Sequence, residues 1–161
     1  MGIKKAYFAA GCFWGVEYHF EKLNGVKSAI SGYMGGHIVN PDYYMVCSGS
    51  TGHLEVVEVS YDESVVCFEE LAKLFFEIHD FTQINGQGPD IGSQYLSAIF
   101  YVNEEQKVIS EKLILELESK GFKVATSLYE LVPFYEAEEY HQDYYERHQK
   151  MPYCHSYKKI F

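Results

Sequence analysis

Apolar residues along this chain recur at two spacings, one typical of strands and the other typical of helices. Residues 6–10 form a short apolar run of strand length, and apolar residues beyond Cys12 then recur three or four positions apart as far as Leu23. The run predicts a strand, and the longer spacing predicts an amphipathic helix that begins at or just after Cys12. The pair Asn24-Gly25 is a stop-and-turn signal that should end this helix.

The same two patterns continue to alternate downstream. Apolar alternation predicts four further strands, at 26–33, 53–61, 97–102 and 122–131. Helical spacing predicts three further helices, one after residue 62, one after Asn103 and a polar one over 138–148. Asp62 or Ser64 should cap the first of these, and Asn103 with Gln106 three positions on resembles a capping box that opens the second.

The predicted order of elements is β-α-β-β-α-β, with a further strand and helix behind it. This order matches the α+β class, specifically a two-layer α/β sandwich with a ferredoxin-like split βαβ core. Two irregular, glycine-containing segments, 31–52 and 79–94, and the C-terminal tail should then be long covering loops at one end of the sheet. A loop of about twenty residues in a compact domain is more often functional than filler.

Length and composition fit one domain. The chain has 161 residues, 47% of them hydrophobic and 22% charged, and it contains no internal repeat, low-complexity segment or linker. A chain of this length can bury a full core. We therefore expect a single catalytic domain over 1–161, with 149–161 as a tail.

Charge and hydropathy argue against several classes of partner. The formal net charge is −10 and no cluster of lysine and arginine offsets it, so neither nucleic acid nor an anionic membrane is an expected partner. No apolar stretch approaches membrane-spanning length, and no hydrophobic segment of a secretory signal precedes a small-residue cleavage site. We expect a soluble cytoplasmic protein, and a monomer, because nothing in the sequence indicates an obligate assembly.

The four cysteines lie far apart and form no C-x-x-C pair. Neither a zinc knuckle nor a secreted disulfide scaffold is therefore expected. In a reducing compartment, one activated cysteine with a distant second one is more naturally catalytic than structural. Cys67 falls on the apolar face of a predicted helix and is expected in the core, while Cys47 is expected to pack rather than react.

The motif at residues 11–15, Gly-Cys-Phe-Trp-Gly, places a cysteine between the end of a strand and the start of a helix. Unpaired backbone N–H groups and the positive end of the helix dipole there favour the thiolate, which is the nucleophilic form. The two glycines allow a sharp turn and the close approach of a ligand. Phe13 and Trp14 cannot both face the core, so at least one should form an apolar wall near the thiol. An inert buried cysteine is the alternative, but position and neighbours favour Cys12 as the nucleophile.

This motif closely resembles the nucleophile motif of the A-type peptide methionine sulfoxide reductases. The resemblance continues, in order and over nearly the whole chain, through the segments 32–36, 40–43, 46–55, 79–83, 90–95 and 134–144. The family implies reduction of the S epimer of methionine sulfoxide, either free or within proteins, to methionine. It also implies thioredoxin or another dithiol as the external reductant, with neither a metal nor another cofactor.

Acid catalysis is the first demand of that reaction, because the sulfoxide oxygen must be protonated as it leaves. Glu55 fits this role if an apolar, aromatic setting raises its pKa. Tyr43 and Tyr95 can donate O–H hydrogen bonds to the developing charge. By resemblance, these three residues hold and protonate the sulfoxide oxygen. Without the resemblance, Glu55 would be interpreted as a solvent-facing strand residue.

The resemblance assigns four further residues to substrate binding. Phe13 and Trp14 surround the S-methyl group, and Asp90 supports the substrate or an ordered water. His53 completes the set. A plain turn residue remains the alternative interpretation of Asp90.

A second thiol is needed to complete the cycle. Transfer of oxygen leaves a sulfenic acid on Cys12, and a sulfenic acid condenses readily with another thiol. Cys154 is the candidate resolving thiol, since it lies in the tail, which could swing toward the site. The alternative is an exposed cysteine that takes no part.

Three other hypotheses stay open at this point. A cysteine hydrolase or acyltransferase would pair Cys12 with a histidine such as His53, His79 or His141. A metal site could use the ligand types around His53 and His79, although such isolated pairs are weak signals. A non-catalytic, aromatic-rich binding domain would need no reactive thiol.

Overall fold

The computed structural model describes residues 2–149 and 155–161. Over these residues the chain forms eight strands and five α-helices, with single turns of 3-10 helix at Ser93–Tyr95 and Glu139–His141. Within the same residues, no helix has the length and apolar character needed to cross a lipid bilayer. In chain order the elements are β1 (Ile3–Ala10), α1 (Phe13–Glu21), β2 (Val26–Met34), α2 (Tyr43–Cys47), β3 (Leu54–Asp62), α3 (Phe68–Glu77), β4 (Gly86–Gln87), β5 (Asp90–Ile91), β6 (Ser97–Tyr101), α4 (Glu104–Ser119), β7 (Ser127–Glu130), β8 (Tyr135–Glu136) and α5 (Tyr144–His148).

Six of the strands form one sheet in the order β7-β6-β1-β3-β2-β8. Strand β3 is antiparallel to both β1 and β2, so β1 and β2 run parallel with β3 between them. Helix α1 makes the crossover between these two parallel strands, which is the split βαβ arrangement. Strand β6 pairs antiparallel with the other side of β1 and completes a ferredoxin-like core, so the predicted α+β sandwich is confirmed. Strands β7 and β8 extend the two edges, and β4 and β5 form a separate hairpin.

The helices cover one face of the sheet and enclose an aromatic core. The ring of Phe8 in β1 stacks on Phe20 of α1 with 4.9 Å between centroids, and on Phe75 of α3 with 5.3 Å. Phe68, in the first turn of α3, packs on the same ring at 5.9 Å. All four are almost entirely buried. Aromatic residues make up 17% of the chain, and part of this content serves packing, where such rings contribute large buried area.

Two predicted helix starts are confirmed. Helix α1 begins at Phe13, directly after Cys12. Helix α4 begins after Asn103, whose side-chain oxygen accepts a hydrogen bond from the Gln106 N–H at 2.9 Å. The Gln106 side chain also reaches back, as in a capping box, but its oxygen accepts from the Val102 N–H at 3.0 Å rather than from Asn103.

The start of α3 differs from the prediction. The Asp62 carboxylate accepts hydrogen bonds from the N–H of Ser64 at 3.0 Å and from its hydroxyl at 2.6 Å, which closes a turn ahead of the helix. The helix itself begins at Phe68, with Cys67 at the cap position and no side-chain cap bond. Cys67 is exposed there, so the prediction that it lies in the core is wrong.

Three less regular stretches also differ from the prediction. The loop expected at 31–52 contains the short helix α2, and the strand expected at 122–131 shortens to β7. The polar helix expected over 138–148 divides into a 3-10 turn and α5. Asp143, between the two, adopts a left-handed backbone with φ of +53°, and such a residue interrupts a right-handed helix.

Candidate active site

Cys12 lies in the turn between β1 and α1. Its backbone is not helical, with φ of −55° and ψ of 120°, and the helix begins at the next residue. Gly11 makes the turn with φ of +90°, and a Cβ there would lie 2.6 Å from the Cβ of Gln87. Only glycine satisfies both conditions. The thiol-bearing residue is 6% exposed and faces the positive end of the α1 dipole.

Glu55 lies beside this turn. It occupies the second position of β3, is 2% exposed, and accepts a hydrogen bond through Oε1 from the Phe13 N–H at 3.1 Å. That N–H belongs to the residue directly after Cys12, so the carboxyl group and the thiol share the same helix N-terminus. The alternative interpretation of Glu55 as a solvent-facing strand residue is therefore wrong.

Tyr43, the first residue of α2, and Tyr95, the last residue of the first 3-10 turn, both lie close enough to Glu55 to feel its charge. Burial is the main cause that raises the pKa of each hydroxyl, and the negative charge of Glu55 raises both further. The charge of Cys12 adds to the effect on Tyr95. Both phenols therefore stay protonated at neutral pH and can donate hydrogen bonds. The structure thus brings together four of the five predicted catalytic residues.

Glu138 fixes the loop that carries Tyr43. One oxygen of its carboxylate accepts from the Tyr43 N–H at 2.9 Å, and the other accepts from the Tyr33 hydroxyl at 2.8 Å. At the same end of α2, Asp42 caps the helix by accepting from the Met45 N–H at 2.9 Å. No local pattern in the sequence indicates this role of Glu138, because its contact with α2 joins residues 95 positions apart.

An aromatic wall stands next to the turn. Trp14 stacks on Tyr144 with 3.7 Å between centroids and 7° between planes, and its Nε1 donates to Nδ1 of His141 at 3.0 Å. Phe13 is buried and lies 5.3 Å from the His141 ring and 5.6 Å from that of Tyr33. Burial lowers the pKa of His141, so the imidazole is neutral with its proton on Nε2. We call residues 138–145, which include His141 and Tyr144, the wall segment.

Side chain to backbone bonds attach the wall segment to β2. The Gln142 side chain accepts from the Ser31 N–H at 2.9 Å and donates to the Ser31 carbonyl at 2.9 Å. The same side-chain nitrogen also donates to the Ala137 carbonyl at 3.1 Å. The wall segment thus joins β2 through Gln142 as well as through the hydrogen bond from Tyr33 to Glu138, and it follows β8, which pairs with the same strand.

A buried carboxylate attaches the wall segment to α1. Glu17 accepts from the Ser31 hydroxyl at 2.6 Å and from the Asp143 N–H at 2.8 Å, and burial raises its pKa to about 7. Carboxylate oxygens of Glu17, Glu21 and Asp143 lie within 4.8 Å of one another. Within the described part of the chain, this is the one group of three or more such ligand types close enough to share an ion, and it includes neither His53 nor His79.

His53 and Asp90, the other two residues predicted to bind substrate, lie in different surroundings. His53 is 2% exposed, and its Nδ1 accepts from the Gly36 N–H at 3.1 Å while Nε2 lies 2.7 Å from the Ile38 carbonyl. It therefore pins the loop after β2. Asp90 is half-buried at the start of β5, and its charge is among those that raise the pKa of Tyr95.

None of the three histidines considered for a cysteine hydrolase is placed as a general base for Cys12. Both ring nitrogens of His53 are used by backbone groups. Those of His79 are used as well, at 2.6 Å from the Phe75 carbonyl and 2.8 Å from the Ser97 hydroxyl, and burial lowers its pKa to about 3. Nδ1 of His141 accepts from Nε1 of Trp14, and Nε2 of His141 makes no hydrogen bond with the described residues. The predicted cysteine–histidine pair is therefore not formed by any of the three.

Two other cysteines, Cys47 and Cys154, were considered in the sequence. Cys154, the predicted resolving thiol, lies outside the described residues. Cys47, at the end of α2, is exposed rather than packed, and the Tyr43 hydroxyl hydrogen-bonds its sulfur. Partial burial and the charge of Glu55 raise the pKa of the Cys47 thiol, which disfavours the reactive thiolate.

Comparisons with known proteins agree with this geometry. The family model described as peptide methionine sulfoxide reductase matches residues 4–160. The peptide methionine sulfoxide reductase MsrA of Nautilia profundicola is 49% identical over 150 residues, which cover 93% of this chain and 87% of that protein. The crystal structure of reduced Mxr1 from Saccharomyces cerevisiae matches with a TM-score of 0.91 and 36% identity, over 97% of this chain and 92% of that one.

A second structure of Mxr1 contains a partner. The crystal structure of Mxr1 in complex with Trx2 matches with a TM-score of 0.66 and 27% identity, over 97% of this chain and 90% of that one. Sequence and structure therefore agree along almost the full length of the chain. This chain belongs to the peptide methionine sulfoxide reductase family.

Proposed function

We propose that this protein reduces methionine S-sulfoxide, free or within proteins, to methionine, with Cys12 as the nucleophile. The observation that carries the proposal is the convergence at the α1 N-terminus. There the Glu55 carboxyl accepts a hydrogen bond from the N–H that follows Cys12, and the Tyr43 and Tyr95 hydroxyls lie near enough for the charge of Glu55 to raise their pKa values. A nucleophile, an acid and two O–H donors in one place are what oxygen transfer between two sulfur atoms needs.

In the proposed first step, the Cys12 thiolate attacks the sulfoxide sulfur and takes its oxygen. The S–O bond of the substrate breaks, an S–O bond forms on Cys12, and one proton is taken up, which gives methionine and a Cys12 sulfenic acid. Glu55 would supply the proton, and Tyr43 and Tyr95 would hold the oxygen as its charge grows. The position of Glu55 supports this role, because a general acid must lie close to the oxygen that it protonates, and the Glu55 carboxyl accepts from the N–H directly after Cys12.

The apolar part of the substrate would contact the aromatic wall. We assign the S-methyl group to Phe13 and Trp14, whose rings stand directly after the nucleophile. His53 would act indirectly, because both of its ring nitrogens hold backbone groups of the loop after β2. Asp90 would support the substrate or a water near Tyr95, whose pKa its charge raises.

In the proposed second step, the Cys12 sulfenic acid condenses with the Cys154 thiol to give a disulfide and water. Thioredoxin or another dithiol would then reduce this disulfide. The structure of Mxr1 with Trx2 supports a thioredoxin as the reductant, and these steps call for no metal or other cofactor. We propose the cytoplasm as the location, because thioredoxin keeps thiols reduced there, and one catalytic domain over 1–161.

A single turnover tests this function. Reduced protein mixed with one equivalent of methionine S-sulfoxide, without added reductant, should give one equivalent of methionine and consume two thiols. Peptide mapping should then find Cys12 joined to Cys154, and Cys12→Ser should form no methionine. Cys67→Ser is the matched control, because that cysteine is exposed at the cap position before α3. A wild-type protein that forms no methionine would refute the proposal.

A further inference from the structure

One buried side chain interrupts the exposed C-terminal tail. His155 is 4% exposed, while the four residues that follow it, 156–159, are all exposed. Polar side chains are buried at a cost unless they are hydrogen-bonded. The burial of this imidazole in a surface tail therefore points to a specific contact.

The contact is with the turn that carries the nucleophile. Nε2 of His155 lies 2.6 Å from the carbonyl oxygen of Ala10, and because a carbonyl only accepts, Nε2 carries the proton. The other edge of the ring fills the space above Gly15, where the Cβ of any larger residue would overlap the imidazole. The second glycine of the 11–15 motif thus makes room for a side chain from the tail.

We propose that His155 is a positioning residue for the second step, and that it holds the chain beside Cys12 at the point where the resolving thiol is attached. This inference rests on the proposed function, in which Cys154 resolves the sulfenic acid. Cys154 directly precedes His155, and adjacent Cα atoms are about 3.8 Å apart. Ala10, to which the ring is bonded, lies two residues before Cys12.

Distance is what makes such an attachment useful. A disulfide forms only when the two Cα atoms come within about 4.4–6.8 Å of each other. When His155 is held, the cysteine before it should spend more time within that distance of Cys12 than it would in an unattached tail. The rate of condensation should therefore rise. The condensation itself forms one S–S bond and releases the sulfenic oxygen as water, with the Cys154 proton.

Other contacts hold the tail farther along, so removal of the ring should not release the whole tail. The Lys158 N–H donates to the Glu77 carbonyl at 2.8 Å, and the Ile160 N–H donates to the Glu77 carboxylate at 2.9 Å. The Lys120 ammonium donates to the Ile160 carbonyl at 2.9 Å. Substitution of His155 therefore tests the local attachment.

The test follows both steps in one rapid-quench experiment. Reduced full-length protein is mixed with one equivalent of methionine S-sulfoxide, and methionine and free thiols are measured over time. His155→Ala should form methionine at the wild-type rate but lose the second thiol at least about tenfold more slowly. The sulfenic acid should meanwhile accumulate and be trapped by dimedone. His155→Gln should restore much of the rate, because its amide N–H can donate to the Ala10 carbonyl.

Controls separate the possible failures. Lys159→Ala, an exposed tail substitution, should change neither step, and in a Cys154→Ser background His155→Ala should leave the first step unchanged. Unchanged disulfide formation in His155→Ala, or equal slowing of both steps, would overturn the proposal for His155 alone. Wild-type protein that makes methionine but keeps an intact Cys154 thiol would overturn the resolving step and this inference with it. Absence of methionine in the wild type would instead refute the proposed function.

Discussion

The β1–α1 turn and the wall segment meet at the site, but they are built in different ways. The turn joins two regular elements, and its functional residues are neighbours in the sequence at positions 11–15. The wall segment contains only a 3-10 turn, a left-handed residue and the start of a short helix. It is held by the side chains of Glu138 and Gln142 and by the Asp143 N–H, which bond α2, β2 and α1 respectively.

The two regions therefore have different functions in the proposed reaction. The turn presents Cys12 and receives the Glu55 carboxyl, so it carries the groups proposed to make and break bonds. The wall segment sets where Tyr43 and the ring of Trp14 stand. Loss of a reacting group in the first region should therefore give the largest decrease in the rate of oxygen transfer. Substitutions in the second should act on that rate indirectly, through the placement of Tyr43, and on stability.

The largest expected effect comes from Glu55→Gln, which keeps the shape of the side chain but removes its acidic proton. The amide oxygen can still accept from the Phe13 N–H, so the turn should keep its geometry. Loss of a general acid typically costs about 10²–10⁴-fold in rate. We therefore expect methionine formation in a single turnover to slow by at least about a hundredfold, with little change in melting temperature.

Glu58→Gln is the matched control for that comparison. Glu58 lies three residues along the same strand, accepts a hydrogen bond from the Tyr7 hydroxyl at 2.7 Å and lies 3.5 Å from the Lys5 ammonium. Its substitution should affect stability and leave the first-step rate near that of the wild type. Equal rates for the two variants would remove Glu55 from the acid role.

Gly15→Ala tests the packing of the turn. A methyl group at this position overlaps the His155 ring, and overpacking of this kind costs about 1–3 kcal/mol. Chemical denaturation should report this loss in the free energy of unfolding. In a His155→Ala background the sign should reverse, because the overlapping ring is gone and alanine favours a helix over glycine by about 1 kcal/mol. A destabilisation of equal size in both backgrounds would mean that the ring is not the cause.

Glu138→Ala tests the wall segment. The substitution removes the acceptor for the Tyr43 N–H and for the Tyr33 hydroxyl, so α2 loses its attachment. We expect methionine formation to slow by about tenfold, because misplacement of a donor by about 1 Å weakens its action in the transition state. Glu139→Ala, at the exposed neighbouring residue, is the control. A rate of Glu138→Ala equal to that of the control would mean that α2 needs no such attachment.

The same contrast explains what the sequence could predict. The split βαβ core, the start of α1 after Cys12 and the cap at Asn103 follow from local spacing and were predicted correctly. The interruption at Asp143 was not, because polar residues at helical spacing favour a helix unless a distant group holds the backbone otherwise. That distant group is Glu17, 126 positions away.

The same holds for the site residues: those whose roles depend on distant contacts could not be predicted from local pattern. Glu55 could be assigned only through the resemblance, since alternation alone favours a solvent-facing residue in β3. The roles of Glu138 in holding α2 and of His141 in the aromatic wall were missed. No local pattern links Glu138 to Tyr43 or His141 to Trp14, although these pairs lie within hydrogen-bond distance in the fold.

The smallest expected effect is a pH dependence of stability. It arises where Glu17 of α1 bonds Ser31 and Asp143, a contact that we call the joint. Burial raises the pKa of Glu17 from 4.5 to about 7, so the folded protein binds this proton more tightly than the unfolded chain does. The stability that this proton contributes is fully present below about pH 4.5 and is lost as the pH rises through about 7. Glu17→Gln carries no titrating proton there. Its amide can accept from the Asp143 N–H and donate to the Ser31 hydroxyl, so the joint should remain closed.

The free energy of unfolding, measured from pH 4.5 to 8 by chemical denaturation, should therefore fall for the wild type relative to Glu17→Gln. The difference between the two proteins removes the contribution of groups outside the cluster of Glu17, Glu21 and Asp143, and it reports on the proton that this cluster holds. Trp14 is the only tryptophan and stacks on Tyr144, next to Asp143, so its fluorescence reports directly on the joint. Glu146→Gln, exposed on α5, is the control. Parallel curves for wild type and Glu17→Gln would show that the attachment of the wall segment to α1 does not respond to this proton.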